Sequence, residues 1–225
     1  MKGLGLIKFL LAGLLLLGLS TYADANLITN GGFESGTFTS NDTFTAGVGP
    51  YGIWMDRANW SIQSGGPTGK YAYQDTCDNC TDQLFQAFLG ATPAGAALQF
   101  EFDYRFSKPG NAQGWETVQL VGLDAGDQWV PWAPNWCAQC DTLASADLSP
   151  TSGTDWAHFA SALITTSKDY AAIGVLFQFG GTVGNGEFRA VDNVAAATVP
   201  ESSTLLLLGS GLVGLGGVAW RRNRK

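Results

Sequence analysis

A single histidine, His158, leaves this chain little acid–base or nucleophilic chemistry. A Ser-His-Asp set would have one base to choose from, and no nucleophile is marked beside it. The chain holds no G-x-S-x-G elbow and no H-E-x-x-H zinc signature. Glycosidase-type carboxylate pairs stay open, because spacing alone does not reveal which acids face one another. Glu101 and Asp103 fall on the solvent face of a strand pattern, the ordinary place for acids. Basic residues are few, 12 Lys and Arg against 19 Asp and Glu. That balance excludes nucleic acid as a partner, since phosphates need cations to displace their counterions. Helical spacing of apolar residues is missing outside the two chain ends. The expectation is a protein that binds rather than one that catalyses.

The ends carry export signals. Met1-Lys2 and Lys8 supply a basic start, Phe9 to Leu19 is apolar, and Ala23-Asp24-Ala25 is an A-x-A cleavage site. Residues 1–25 therefore read as a signal peptide, too short and wrongly flanked for a membrane helix. At the other end, Val199-Pro200-Glu201-Ser202 precedes an apolar run and the tail Arg221-Arg222-Asn223-Arg224-Lys225. Ser202 to Trp220 gives nineteen residues, close to the roughly 20 that span a bilayer. The basic tail should stay cytoplasmic and the folded part outside the inner membrane. Gly209-Ser210-Gly211-Leu212-Val213-Gly214 matches the dinucleotide fingerprint in letters, but no strand precedes it and no βαβ unit surrounds it.

This order of motif, span and basic tail over residues 199–225 resembles the PEP-CTERM sorting signal of exported bacterial proteins. The resemblance implies that an exosortase recognises Pro200 and Glu201 and removes the span and tail. The protein would be anchored in the inner membrane first and delivered to the cell surface or the exterior afterwards. Ser202 stands where the family favours a second proline. A simple membrane anchor is the other reading of the same hydrophobic pattern.

The region between, residues 26–198, has the size of one domain. It keeps 6 Lys and Arg against 17 Asp and Glu, a net charge of about −11. Anionic membrane surfaces and acidic polysaccharides are poor partners for such a charge; neutral glycans and divalent cations are compatible. Leu98 to Phe106 alternates strictly, with Leu98, Phe100, Phe102, Tyr104 and Phe106 on one face. That period of two is a half-buried strand. Similar runs are Leu84 to Leu89, Val118 to Leu123, Phe159 to Thr165, Ile173 to Phe179 and Phe188 to Val194. Gly/Pro/Ser clusters such as Ser64 to Gly69 separate them. The pattern predicts an all-β fold, an antiparallel β-sandwich. Asn26-Leu27-Ile28-Thr29-Asn30-Gly31-Gly32-Phe33-Glu34 resembles the opening strand of galactose-binding-like jelly rolls, which include many carbohydrate-binding modules. Asp82 to Gln86, Leu98 to Phe106 and Ala190 to Val194 fit that layout in order. The resemblance implies a structural calcium shared by the first and last strands, with Glu34 and Asp192 as its carboxylate ligands. Otherwise Glu34 is a solvated loop acid and Asp192 a strand-end cap.

Two further clusters stand out. Trp129, Trp132 and Trp136 fall within eight residues, stiffened by Pro131 and Pro134. Flat rings in a rigid loop suit stacking on sugar rings, and Asp124, Asp127 and Asp141 nearby can bond hydroxyls. Trp is also a residue of cores, so each ring has a packing alternative. Cys77/Cys80 and Cys137/Cys140 repeat one C-x-x-C spacing. Export makes disulfides the default. A zinc site made of all four thiolates would hold the two loops equally well, and a redox pair is the third reading. The sequence thus predicts an envelope or matrix protein that binds a polysaccharide. The alternatives are a hydrolase or metal-dependent enzyme on the same scaffold, or a surface protein without a ligand.

Overall fold

The structure is a computed structural model that describes residues 26–40, 43–57, 60–75, 80–107, 113–130, 140–151, 155–182, 188–199 and 210. The signal peptide, the Pro200/Glu201 motif and all of the span but Ser210 lie outside these residues, and the exosortase and membrane readings with them. Residues Asn26–Thr198 form one compact unit.

Among the described residues, that unit is built of strands. They are β1 (Thr39–Ser40), β2 (Phe44–Thr45), β3 (Met55–Arg57), β4 (Trp60–Ser64), β5 (Lys70–Asp75), β6 (Cys80–Leu89) and β7 (Ala97–Ser107). β8 (Gln113–Leu123), β9 (Gln128–Trp129), β10 (Asp141–Asp147), β11 (Ala157–Ala160), β12 (Ile164–Thr165), β13 (Ala172–Thr182) and β14 (Phe188–Thr198) follow. A six-stranded sheet runs β1-β3-β6-β13-β8-β10, and a second runs β11-β7-β14-β5-β4, with β12 also on β7. A two-stranded ribbon pairs β2 with β9. Every pairing is antiparallel except β1 with β3. The expected antiparallel, all-β fold is present, and the chain passes from one large sheet to the other at most connections.

The alternation of β7 does what its period dictates. Leu98, Phe100, Phe102 and Phe106 are buried against the other sheet, where Leu84, Val118, Leu120, Ile173, Val175, Phe177 and Phe179 meet them. Phe102 and Phe177 touch edge to face across the sandwich, ring centres 5.0 Å apart. Trp54 and Trp60 also belong to this core. The run from Phe159 to Thr165 is not one strand. It breaks into β11 and β12, because the Ser161 hydroxyl accepts the Phe100 N–H at 3.0 Å and takes a ladder position.

One end of the interior is polar. Arg189 on β14 donates to Glu116 on β8 at 3.0 Å and to Gln74 on β5 at 3.1 Å. Gln74 donates in turn to Asp82 on β6. Arg189, Glu116, Gln74 and Asp82 are all buried. The network ties the two sheets together by charge-assisted bonds.

The opening segment lies along β14. Leu27 N–H donates to Ala196 O at 2.8 Å and Val194 N–H to Gly31 O at 3.0 Å. A Cβ on Gly31 would fall 1.9 Å from the Val194 carbonyl oxygen, so only glycine fits there.

Candidate functional site

The outer face of the six-stranded sheet divides into an apolar and a polar end. The row Met55, Phe85, Leu176, Gln119 and Ser145 crosses β3, β6, β13, β8 and β10 as directly opposed pairs. Two positions along each strand, about 7 Å away, the next row is Arg57, Gln83, Gln178, Thr117 and Asp147. Opposed residues share a face, so five hydrogen-bonding side chains line up at right angles to the strands.

The apolar end is covered by the β2/β9 ribbon. Trp129 stacks on Phe85 with ring centres 5.1 Å apart and planes 15° apart, and Phe44 lies 5.6 Å from the same ring. Trp129 is fully buried. It acts as the anchor of the Trp-rich loop, and its ring is not a free stacking surface. Trp132 and Trp136 lie outside the described residues. The loop's two ends are nonetheless fixed on this face: Trp129 on Phe85, and Cys140, just before β10, against the same apolar cluster.

The acids beside the loop are engaged with its root. Lys168 donates to Asp124 at 2.6 Å and lies 3.0 Å from Asp141, whose carboxylate also accepts from the Tyr170 hydroxyl at 3.0 Å. Those bonds from Lys168 and Tyr170 hold the Asp141 carboxyl below its ordinary value. Asp127 accepts the Asp124 N–H at 2.8 Å. Cys140, just before β10, is disulfide-bonded to a sulfur outside the described side chains. Cys77 and Cys137 lie outside the described residues, as does the side chain of Cys80.

The polar row was not foreseen from the sequence. Gln83, second in the row, is fully buried, and neither its amide oxygen nor its amide nitrogen has a hydrogen-bond partner among the described residues. The Gln119 amide oxygen, in the neighbouring row, is also unpaired. Leaving a buried polar group unpaired costs about 1–3 kcal/mol. Orphans of this kind are ordinarily taken by ordered water or by a ligand. A sequence signal existed: Gln83 and Gln178 interrupt apolar strands on the face of Phe85 and Leu176. Only the strand register shows that they are neighbours.

Glu34 and Asp192 converge on one turn, between β4 and β5. Glu34 accepts the Lys70 N–H at 2.7 Å, and the Lys70 ammonium donates back to the Glu34 carbonyl at 3.0 Å. Asp192 accepts the Asn193 N–H at 2.8 Å, and long bonds of 3.4 Å from the Thr68 N–H and hydroxyl. Burial pushes the Asp192 carboxyl up to about 6, and its charged neighbour Asp103 acts in the same direction. A Cβ on Gly32 would lie 3.4 Å from Thr68 Oγ1 and 3.9 Å from both Asn193 Oδ1 and Asp192 Oδ1. Hard oxygen donors thus surround a place kept open by glycine, the donor set calcium takes. No three His, Cys, Asp or Glu side chains close on one point among the described residues.

No known protein family matches the sequence, and no curated protein does. Solved structures align with it at low identity. The enzymatically active domain of tailspike protein 4 of bacteriophage CBA120 aligns at 13% identity with a TM-score of 0.49. It covers 77% of this chain, which spans only 21% of that one. The carbohydrate-binding module TmCBM61, solved with β-1,4-galactotriose, aligns at 14% identity over 78% of this chain and 99% of its own, TM-score 0.47. A Stig cyclase from Fischerella sp. TAU aligns at 13% identity over 78% and 97%, TM-score 0.48. Binding modules and enzymes both occur, and likeness at this level leaves the question of function to the residues of this chain.

Proposed function

We propose that this chain is an exported cell-envelope protein that binds a neutral glycan across the polar row of the six-stranded sheet. The observation that carries the reading is the line of directly opposed hydrogen-bonding side chains, in which Gln178 and Thr117 are half-buried and Asp147 is exposed beside the buried Gln83 amide. An amide offers one acceptor and one donor group, which is what a sugar hydroxyl needs from a partner. Gln178, Thr117 and Asp147 continue that offer along the row, and the Trp-rich loop that starts at Trp129 carries Trp132 and Trp136 as candidate stacking rings. The charge of about −11 on residues 26–198 disfavours uronic-acid and sulfated chains.

Processing by an exosortase at Pro200 and Glu201 would release the domain from its membrane span. A bound calcium would be held by Glu34 and Asp192 with the Thr68 and Asn193 side-chain oxygens. Its chemistry there is structural, neutralising the buried Asp192 carboxylate. Glu34 and Asp192 then fix the β4–β5 turn to the opening segment and to β14. No catalytic role is assigned to them.

Native gels cast with neutral and acidic polysaccharides, with and without calcium, test this reading on the purified protein. Retardation by a neutral polysaccharide that is lost in Gln178→Ala and weakened in Trp132→Ala and Trp136→Ala is expected. Equal retardation of wild type and Gln178→Ala, or retardation by acidic chains alone, would overturn it.

A further inference from the structure

The lone histidine lies on the other sheet, on the outer face opposite the proposed glycan row. His158 on β11 is paired directly with Asp103 on β7. Its Nδ1 lies 2.8 Å from Asp103 Oδ1, a hydrogen bond. Asp103 is itself fixed, because its other oxygen accepts from the Asn193 side-chain amide at 2.7 Å. Nε2 makes no hydrogen bond among the described residues. It faces the Glu101 carboxylate across 3.7 Å.

When Asp103 holds the proton on Nδ1, the Nε2 lone pair points at a carboxylate. Two electron-rich groups then confront one another across a gap too long for a hydrogen bond. A cation between them resolves the conflict. With zinc–nitrogen and zinc–oxygen bonds of about 2.0–2.2 Å, donors 3.7 Å apart subtend roughly 125° at the metal. Glu101 and His158 are both about half exposed, at 54% and 57%, so small movements reach the tetrahedral angle and water can fill the other positions.

We propose that Glu101 and His158 bind a divalent transition metal of the zinc class, with Asp103 as the positioning residue. An imidazole whose second nitrogen is tied to a carboxylate is the usual arrangement of a metal-bound histidine, where the carboxylate fixes the tautomer and raises basicity. This site shares no ligand with the oxygen cluster at Asp192, and its nitrogen donor selects a softer ion than calcium.

The test is calorimetric titration of zinc chloride into the metal-stripped, oxidised protein in calcium-containing buffer. One zinc per chain is expected in the wild type. His158→Gln abolishes it and Glu101→Gln weakens it, both with unchanged melting temperature in the absence of zinc, and Asp103→Asn weakens it about 10- to 100-fold. Absence of zinc binding in the wild type overturns the proposal. Unchanged binding in both His158→Gln and Glu101→Gln also overturns it.

Discussion

Replacing Gln83 by methionine separates stability from binding at one side chain. Methionine has nearly the same length and shape, so the site is neither emptied nor overfilled. The substitution removes two buried polar atoms that bond to no protein group among the described residues. An unpaired buried polar group costs about 1–3 kcal/mol, so Gln83→Met should raise unfolding free energy by about that much. For a domain of this size each kcal/mol moves the midpoint by about 2–4 °C, which gives a rise of roughly 2–12 °C by calorimetry. Retardation by the neutral polysaccharide should fall in the same variant. Gln83→Ala would not serve, because a cavity would cancel the gain. A variant less stable than wild type by more than about 1 kcal/mol would mean that the amide is satisfied in the free protein. Undiminished retardation would remove Gln83 from the site.

Three other outcomes follow from the same structure. Arg189→Met strands Glu116 inside the sandwich and should cost about 3–5 kcal/mol in urea unfolding, with Arg189→Met/Glu116→Leu recovering most of it; an equal loss in the double variant would refute the charge argument. Asp192 gives a pH dependence in calcium-free buffer. Its carboxyl, raised to about 6 by burial, binds a proton more tightly folded than unfolded, so its contribution is fully present below about pH 4 and is lost as pH rises through 6. The loss is at most about 3 kcal/mol. Melting curves of Asp192→Asn should lack that slope, and calcium should raise the wild-type midpoint at about pH 7.5 but not the variant's. Gly31→Ala, whose methyl would collide with the Val194 carbonyl, should unfix the opening segment and show faster proteolysis near Asn30 than wild type.

The main sandwich was legible because its long strands obey a single rule. Leu98 to Phe106 alternates without exception, and the apolar runs Leu84 to Leu89, Val118 to Leu123 and Ile173 to Phe179 lie within β6, β8 and β13. Short strands such as β3 and β10 gave no such signal, since MDR and DTLASAD carry few large apolar residues to count. The Phe159 to Thr165 run misled because periodicity cannot see the Ser161 hydroxyl bonding to a neighbouring strand. The site was less legible. The Trp cluster drew attention by composition, yet Trp129 proves to be packed on Phe85. Gln83 and Gln178 are far apart in the chain and become neighbours only through the β6–β13 register. His158 read as an isolated histidine until the register set it beside Asp103.

The most direct test of the glycan row follows the side-chain amide signals of Gln83, Gln178 and Gln119 by NMR. The protein would be titrated with soluble oligosaccharides of whichever neutral polysaccharide retards it. All three signals should shift and saturate together, while the Asn193 amide on the opposite sheet stays still. Saturable shifts at Asn193 with the three glutamines unmoved would place the ligand elsewhere and contradict the account.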